Sequence, residues 1–437
     1  MKTKKIHGWS KLLICAALLA GCAKHDESTK HASDWLQQNA HEFASVDPAN
    51  EDFSDLNSFG DAVGDARIVS MGEQTHGAGT VFDLKMRLVK YLHEKKGFDV
   101  LMMESSLFDV SRVWQLAQEG QSVDALAPDV MFFMYAKSAQ ARKTLQYVDR
   151  QRTTGYPLML VGMDSQQNGK RSHDDLLPML EVFLASRQSA IAASADWPAY
   201  KELVLLGMSG KTKPAQAKLA AFYAESDKLE AQLCISQADT FSFPTSPGLW
   251  CRVVKSLRNQ ADRYWGGEKN RDIDMAANAQ WLLEHSLTGH KVIIWAHTIH
   301  AGRFGAGGNA TMGSELHRYY GKQMYVVNFT TSQGRHVDFT DMQIHDVTPD
   351  AEGSVELALH QLKKPYLFVD ARKNTPPAMT ALIHKEFDYQ YLGPTSTRLR
   401  NTRALILGWV GVPTFDLGVG YDGLFYTETT QAVTMSR

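Results

Sequence analysis

Acids and imidazoles recur in this sequence at the ends of apolar runs. Glu73 and His76 lie three residues apart in Ile68-Val69-Ser70-Met71-Gly72-Glu73-Gln74-Thr75-His76-Gly77-Ala78-Gly79, close enough for a carboxylate to orient an imidazole. Such a pair can activate a water, because the carboxylate selects the ring tautomer and stabilises the imidazolium that forms when the ring takes a proton. Glu104 follows Leu101-Met102-Met103, Asp164 follows Gly162-Met163, and His297 and His300 close the run Val292-Ile293-Ile294-Trp295-Ala296. Each has a structural alternative: Glu73 and His76 as caps of the next helix, Glu104 as a solvated strand end, Asp164 as a turn cap with Ser165, and one of the two late histidines held by a backbone carbonyl.

The elements that must position these residues can be read from periodicity. The β-branched start Ile68-Val69 reads as a strand, and Phe82, Leu84, Met86, Leu88, Val89 and Leu92 read as a helix that stops at Gly97. The Glu73–His76 loop then sits at the carboxyl end of a strand. Phe98 to Met103, Pro157 to Gly162 and Lys291 to Ala296 are further apolar runs, the last nearly continuous, as in a parallel strand buried on both faces. In a parallel sheet those carboxyl ends share one edge, so groups distant in sequence converge there.

Between the third and fourth runs the period is helical, through Leu176, Leu177, Leu180, Val182 and Phe183, then Leu203 to Leu206, then Leu219 to Leu233. Later apolar runs at Met324 to Phe329, Tyr366 to Val369 and Gly423 to Tyr426 supply more strands. The chain reads as α/β: a mainly parallel sheet core with its first half at 35–170, an inserted helical lobe at 171–286, and at 287–437 the second half of the core with a smaller C-terminal α/β lobe.

The length of 437 residues and a hydrophobic content of 44% support a large core. Lys2, Lys4, Lys5 and Lys11 precede an apolar stretch from Leu12 to Leu19, which ends in Leu19-Ala20-Gly21-Cys22. This is the pattern of an export signal and resembles the bacterial lipobox. It predicts a signal peptide at 1–21, a lipid on Cys22 and a polar tether at 22–34. Ala23 in place of an aspartate points to the outer membrane, with the protein facing the periplasm. Without residues 1–21 the net charge is −6, which gives no electrostatic case for nucleic acid. Cys234 and Cys251 read equally as a disulfide or as two buried thiols.

Several chemistries find no motif. Gly-x-Ser-x-Gly, His-Glu-x-x-His and a Walker loop do not occur. Gly418-Val419-Gly420-Tyr421-Asp422-Gly423 spells a dinucleotide fingerprint but runs into an apolar strand instead of opening a helix. No cysteine lies on the expected active edge. Carboxylates and imidazoles are left, and they suit attack by an activated water with no cofactor.

Gly72-Glu73-Gln74-Thr75-His76-Gly77, Glu104 after its strand, Arg271-Asp272-x-x-Met275-Ala276-x-Asn278, Trp295-Ala296-His297-x-x-His300 and the closing Tyr421-Asp422-Gly423-Leu424-Phe425 occur in one order. Together they resemble the erythromycin esterase family. The resemblance implies an α/β core with a helical insertion and a hydrolase that opens a macrolide lactone by direct attack of water. It assigns His76 as the general base, Glu73 as its orienting partner, and Glu104 and His297 to the lining of the reacting centre. Substrate contacts are expected from Lys85, His300 and Asp164. The sequence departs from the family at Lys85, where arginine is common, and at Val81, where an acid is expected before the aromatic residue. A lysine cannot make the planar bidentate contact of a guanidinium, so the departure bears on the substrate. Two alternatives stand beside a hydrolase of esters or lactones: a haem- or iron-binding lipoprotein of similar fold, and a metal-dependent hydrolase with Glu73, Glu104 and His297 as ligands. No metal is assigned.

Overall fold

The computed structural model describes residues 31–210, 212–234, 243–266, 270–303, 310–350, 354–372 and 420–436. The expected signal peptide, Cys22 and most of the tether lie outside the described residues. The strands are β1 (Ala40–Glu42), β2 (Ile68–Glu73), β3 (Val100–Ser106), β4 (Met159–Asp164), β5 (Val292–His297), β6 (Met324–Asp338), β7 (Gln343–Asp346), β8 (Tyr366–Asp370) and β9 (Gly423–Thr430). They form one sheet in the order β1-β8-β9-β6-β2-β5-β3-β4, with β7 paired to the far end of β6. From β9 to β4 every pair is parallel, while β8 runs antiparallel to β9 and β1 antiparallel to β8.

Strand side chains alternate between faces, and here both faces are covered. Ile68, Val100, Met102, Val161, Met163, Val292 and Ile294 pack into one core with the helices Leu177–Ser186, Trp197–Ser209, Gln216–Leu233, Pro247–Ala261 and Arg271–Trp281. Val69, Met71, Leu101, Met103, Leu160, Ile293 and Trp295 pack into the other with the helices Gly79–Lys96, Leu107–Gln118 and Ala139–Gln151. Burying one such aliphatic side chain contributes about 1.5–3 kcal/mol. Two buried faces explain why the strands read as unbroken apolar runs.

The stretch expected to be a helical insertion is helical and supplies most of the helices on the first face. A disulfide joins Cys234 to Cys251, so the two cysteines are not separate thiols. In the C-terminal part, β6, β8 and β9 continue the central sheet, and residues 373–419 of the expected smaller lobe lie outside the described residues.

One irregularity matters for the site. The register of β3 against β4 shifts between Met103 and Ser106, a bulge that re-aims the intervening residues, Glu104 among them. Gly162 on β4 makes room for it: a Cβ there would lie 2.3 Å from the Ser106 carbonyl oxygen. The helix Gly79–Lys96 ends at Gly97 with φ +78°, a left-handed cap that suits glycine.

Candidate active site

The strand order brings the tips together. Glu73 and His297 are register partners on β2 and β5. From the β3 bulge Glu104 reaches across, and its Oε2 accepts a hydrogen bond from the His297 backbone N–H at 2.8 Å. Asp164 closes β4 on the same edge. Glu73, His76, Glu104, Asp164, His297 and His300 all gather within this one region.

Around Glu73 the arrangement is closed. Its carboxylate is fully buried; Oε1 accepts from Tyr135 Oη–H at 2.8 Å and faces His76 Nδ1 at 3.0 Å, while Oε2 accepts from Lys85 Nζ. Lys85 also donates to the Met71 carbonyl at 2.9 Å, and its ammonium lies 4.2 Å from the centre of the Trp295 ring. Burial alone would raise the Glu73 pKa, but the Lys85 ammonium and the His76 hydrogen bond outweigh it and bring it down to about 2. Burial pushes Lys85 down to about 8 against the pull of Glu73. An ionised Glu73 accepts and cannot donate, so in the neutral His76 ring the proton sits on Nδ1 and Nε2 offers its lone pair. The ring is walled by Phe132, Phe339 and Tyr135, at 4.6, 5.1 and 5.5 Å between centroids, with His297 at 4.7 Å. Burial first, and then neighbouring His76, lower the His297 pKa to about 3, so this ring is neutral. Its Nδ1 accepts from the Ile299 N–H at 3.2 Å, which places the ring proton on Nε2.

Around Glu104 the arrangement is open. Arg271 directs Nε and Nη2 at both oxygens of Asp164 and places Nη2 3.1 Å from Glu104 Oε1. Asp164 also accepts from the Gln166 N–H at 3.0 Å, so it caps the turn as well as holding the guanidinium. His300 Nδ1 lies 2.8 Å from Asp272 Oδ1, and its Nε2 lies 3.3 Å from Glu104 Oε1 and 3.1 Å from Arg271 Nη1. Burial would raise both acids; His300 and Arg271 hold Glu104 below the usual carboxylate range, and Arg271 does so for Asp164. Burial pushes His300 down, but Asp272 and Glu104 carry it above the ordinary imidazole value.

A cleft of about 600 Å³ opens onto this edge. His76, Glu104, Asp164, Arg271 and His300 contribute polar groups to its wall, and Val130, Met131, Phe132, Phe133, Ile299 and Phe339 contribute an apolar side. His300 and Asp164 thus stand where a substrate contact was expected. Lys85 does not. It is fully buried behind Glu73 because its helix position faces β2, and its charge is spent on that carboxylate. His297 lies against the His76 ring instead of forming the cleft wall. For the metal alternative, the carboxylates of Glu73 and Glu104 already carry Lys85, Arg271 and His300 as counter-charges, which leaves this donor set satisfied.

Arg271, Asp272, Tyr135 and Phe339 were not singled out as site residues. Arg271 had a signal: a cation in the first turn of a helix opposes the helix dipole, so its presence there implies a tertiary partner. Tyr135 sits in the five-residue helix Phe133–Lys137 and Phe339 just after β6, where periodicity carries no information about what they face.

A mainly parallel α/β sheet with a carboxylate–imidazole pair and a cleft at its carboxyl edge defines a protein built like a hydrolytic enzyme. The erythromycin esterase family model matches residues 93–430, and the chain belongs to that family. The matched span holds Glu104, Asp164, Arg271, His297 and His300, while Glu73 and His76 precede it. YbfO of Bacillus subtilis (strain 168), whose name describes it as a hydrolase, is 24% identical over 408 residues, which is 82% of this chain and 86% of YbfO. Among solved structures, a Bacillus cereus protein is similar at a TM-score of 0.70 and 18% identity, covering 94% of this chain and 99% of its own. A mutant of the erythromycin esterase EreC in its open conformation is similar at 0.61 and 14%, covering 90% and 98%. Family and relative agree on a hydrolase.

Proposed function

We propose that this protein hydrolyses a carboxylic ester or lactone, macrolide-like in character, by direct attack of a water that His76 deprotonates. The observation that carries the reading is the Glu73–His76 pair at 3.0 Å, with His76 on the wall of the cleft. Glu73 stays ionised and keeps the Nδ1 proton in place, so Nε2 takes a proton from water as the hydroxide adds to the carbonyl carbon. Arg271 and His300 are the cations on the cleft wall that can face the oxyanion of the tetrahedral intermediate. Collapse breaks the bond to the alkoxide oxygen and, in a lactone, opens the ring. A volume of about 600 Å³ with one apolar side suits a drug-sized ligand.

The position of Lys85 changes what its departure from the family's arginine means. The side chain holds Glu73 and does not contact the cleft, so the substitution alters the support of the base and leaves the substrate wall as it is. Family membership favours a hydrolase over the haem-binding alternative. The proposal extends to location: a lipid on Cys22 would tether the enzyme to the outer membrane, and a disulfide between Cys234 and Cys251 suits an oxidising periplasm.

The test is to incubate purified wild type and His76→Ala with macrolides and simpler lactones and to follow a mass gain of one water. Wild type should convert at least one lactone, and His76→Ala should lose a factor of ~10² to 10⁴ in turnover while its circular dichroism spectrum shows the fold retained. Equal rates for the two proteins would discard His76 as the base.

A further inference from the structure

We propose that His300 is the general acid of this reaction, giving a proton to the departing alkoxide while His76 takes one from water. The inference rests on the hydrolytic reading above and adds a second catalytic residue to it. Two imidazoles stand on the cleft wall, each with a carboxylate behind it: Glu73 behind His76 at 3.0 Å and Asp272 behind His300 at 2.8 Å. Asp272 is itself held by the Met312 backbone N–H at 3.0 Å, so both rings are oriented through Nδ1 and reach the cleft with the other edge.

Their surroundings differ in how many charges face them: the carboxylate at His76, Glu73, is already paired with Lys85. Otherwise His76 is walled by Phe132, Tyr135 and Phe339 and by neutral His297. The groups facing His300 are charged: Asp272 and Arg271 from the helix Arg271–Trp281, Glu104 from β3, and Asp164 beyond Arg271 on β4. Three carboxylates against one guanidinium favour a protonated ring at His300, and burial, which acts the other way, does not overcome them. A ring held among carboxylates beside a second ring that faces aromatic walls is the arrangement of an acid and a base.

The contacts at Nε2 suit a proton that leaves. With the proton present, the ring is the cation that faces Glu104 Oε1, 3.3 Å from Nε2; once it has gone, the lone pair accepts from Arg271 Nη1 at 3.1 Å. In the protonated state Arg271 Nη1 gives up its acceptor on the ring, and the guanidinium, about a quarter exposed, meets the solvent of the cleft instead. In the cycle, water gives hydroxide to the carbonyl carbon and a proton to His76. The carbon–oxygen bond to the leaving group then breaks, and its electron pair takes the proton from His300. The products are the carboxylic acid and the alcohol, and a proton passes from His76 to His300 through solvent to restore the start.

The test compares two esters with the same acyl group, one of an alkyl alcohol that needs a proton to leave and one of a phenol that leaves as the anion. His300→Gln should shift the ratio of kcat/KM for the alkyl ester over the aryl ester by ~10²-fold. It should also remove the fall in alkyl-ester rate at alkaline pH that wild type shows as His300 loses its proton. Asp272→Asn, the second variant in case His300→Gln does not fold, should move that alkaline limb to lower pH, because a carboxylate that favours the charged ring is gone. A parallel fall for both esters with an unmoved pH profile would make His300 a positioning residue and overturn the proposal. Failure of the underlying reading looks different: wild type would be inert toward both esters, or His76→Ala would keep both rates.

Discussion

The carboxylates of Glu73 and Glu104 stand on strand tips either side of β5, both buried and both held ionised by cations, yet they are used in opposite ways. Glu73 is closed in, with Lys85 on one oxygen and Tyr135 and His76 on the other, and no edge of it meets the cleft. Glu104 shares its charge with Arg271 and His300, and all three line the cleft. The difference lies in which way the cation arrives. Lys85 comes from the helix behind β2 and seals its acid from the rear, whereas Arg271 comes from the helix that borders the cleft. An acid sealed from behind can only set the state of the base in front of it; an acid whose partners face outward becomes part of the surface that meets substrate.

Loss of His76 tests the closed half at its working end and carries the largest effect on turnover, as described above. Next is Lys85→Met, which leaves Glu73 as a buried carboxylate without its cation. Removing one partner of a buried pair costs about 3–5 kcal/mol, measurable as a lower urea midpoint. The acid limb of kcat/KM should move to higher pH as Glu73 becomes easier to protonate. Lys85→Met with Glu73→Gln should recover part of the stability and none of the activity; if the double variant is no more stable than the single one, the sealing role assigned to Lys85 is wrong.

Arg271→Gln breaks the open half. Its side chain is about a quarter exposed, so water compensates some of the loss and roughly 1–3 kcal/mol is expected, below the range for fully buried pairs. Activity should fall more than stability, since the guanidinium lines the cleft. A variant with normal kcat/KM would remove Arg271 from the site.

At neutral pH the last effect is silent, because it concerns stability in acid. His297 is held neutral with its pKa lowered to about 3 from an ordinary 6.5, and Glu73 is held ionised at about 2 from an ordinary 4.5. Both depressions stabilise the fold fully above the ordinary values, and both contributions are lost as pH falls toward the folded values. Stability should therefore begin to decline below about pH 6.5, through His297 first and Glu73 below about 4.5. His297→Asn should flatten the decline between pH 6.5 and 4.5; an unchanged slope in urea titrations would show that the imidazole takes up its proton in the folded state.

Sequence reading reached the strands of this fold well because a strand buried on both faces leaves a continuous apolar run, as Val292 to Ala296 does, whatever packs on it. It reached Glu73, His76, Glu104, Asp164, His297 and His300 because each ends or follows such a run, and parallel strands share one edge. Lys85 was misplaced for a physical reason. Helical spacing says that it is two residues from Arg87 and on another face, but not that its face meets β2. Arg87, equally buried, pairs with Asp55 far from the cleft, and nothing in the spacing separates the two roles.

What the chain order alone carried was the set of chemical types and the edge on which they end, since alternation and run length are local properties. Which oxygen each cation takes, that Tyr135 and Phe339 wall the His76 ring, and that Asp272 gives the cleft a second oriented imidazole were decided by packing. Those contacts join residues from separate elements, and their distances depend on how helices settle on the two faces of the sheet.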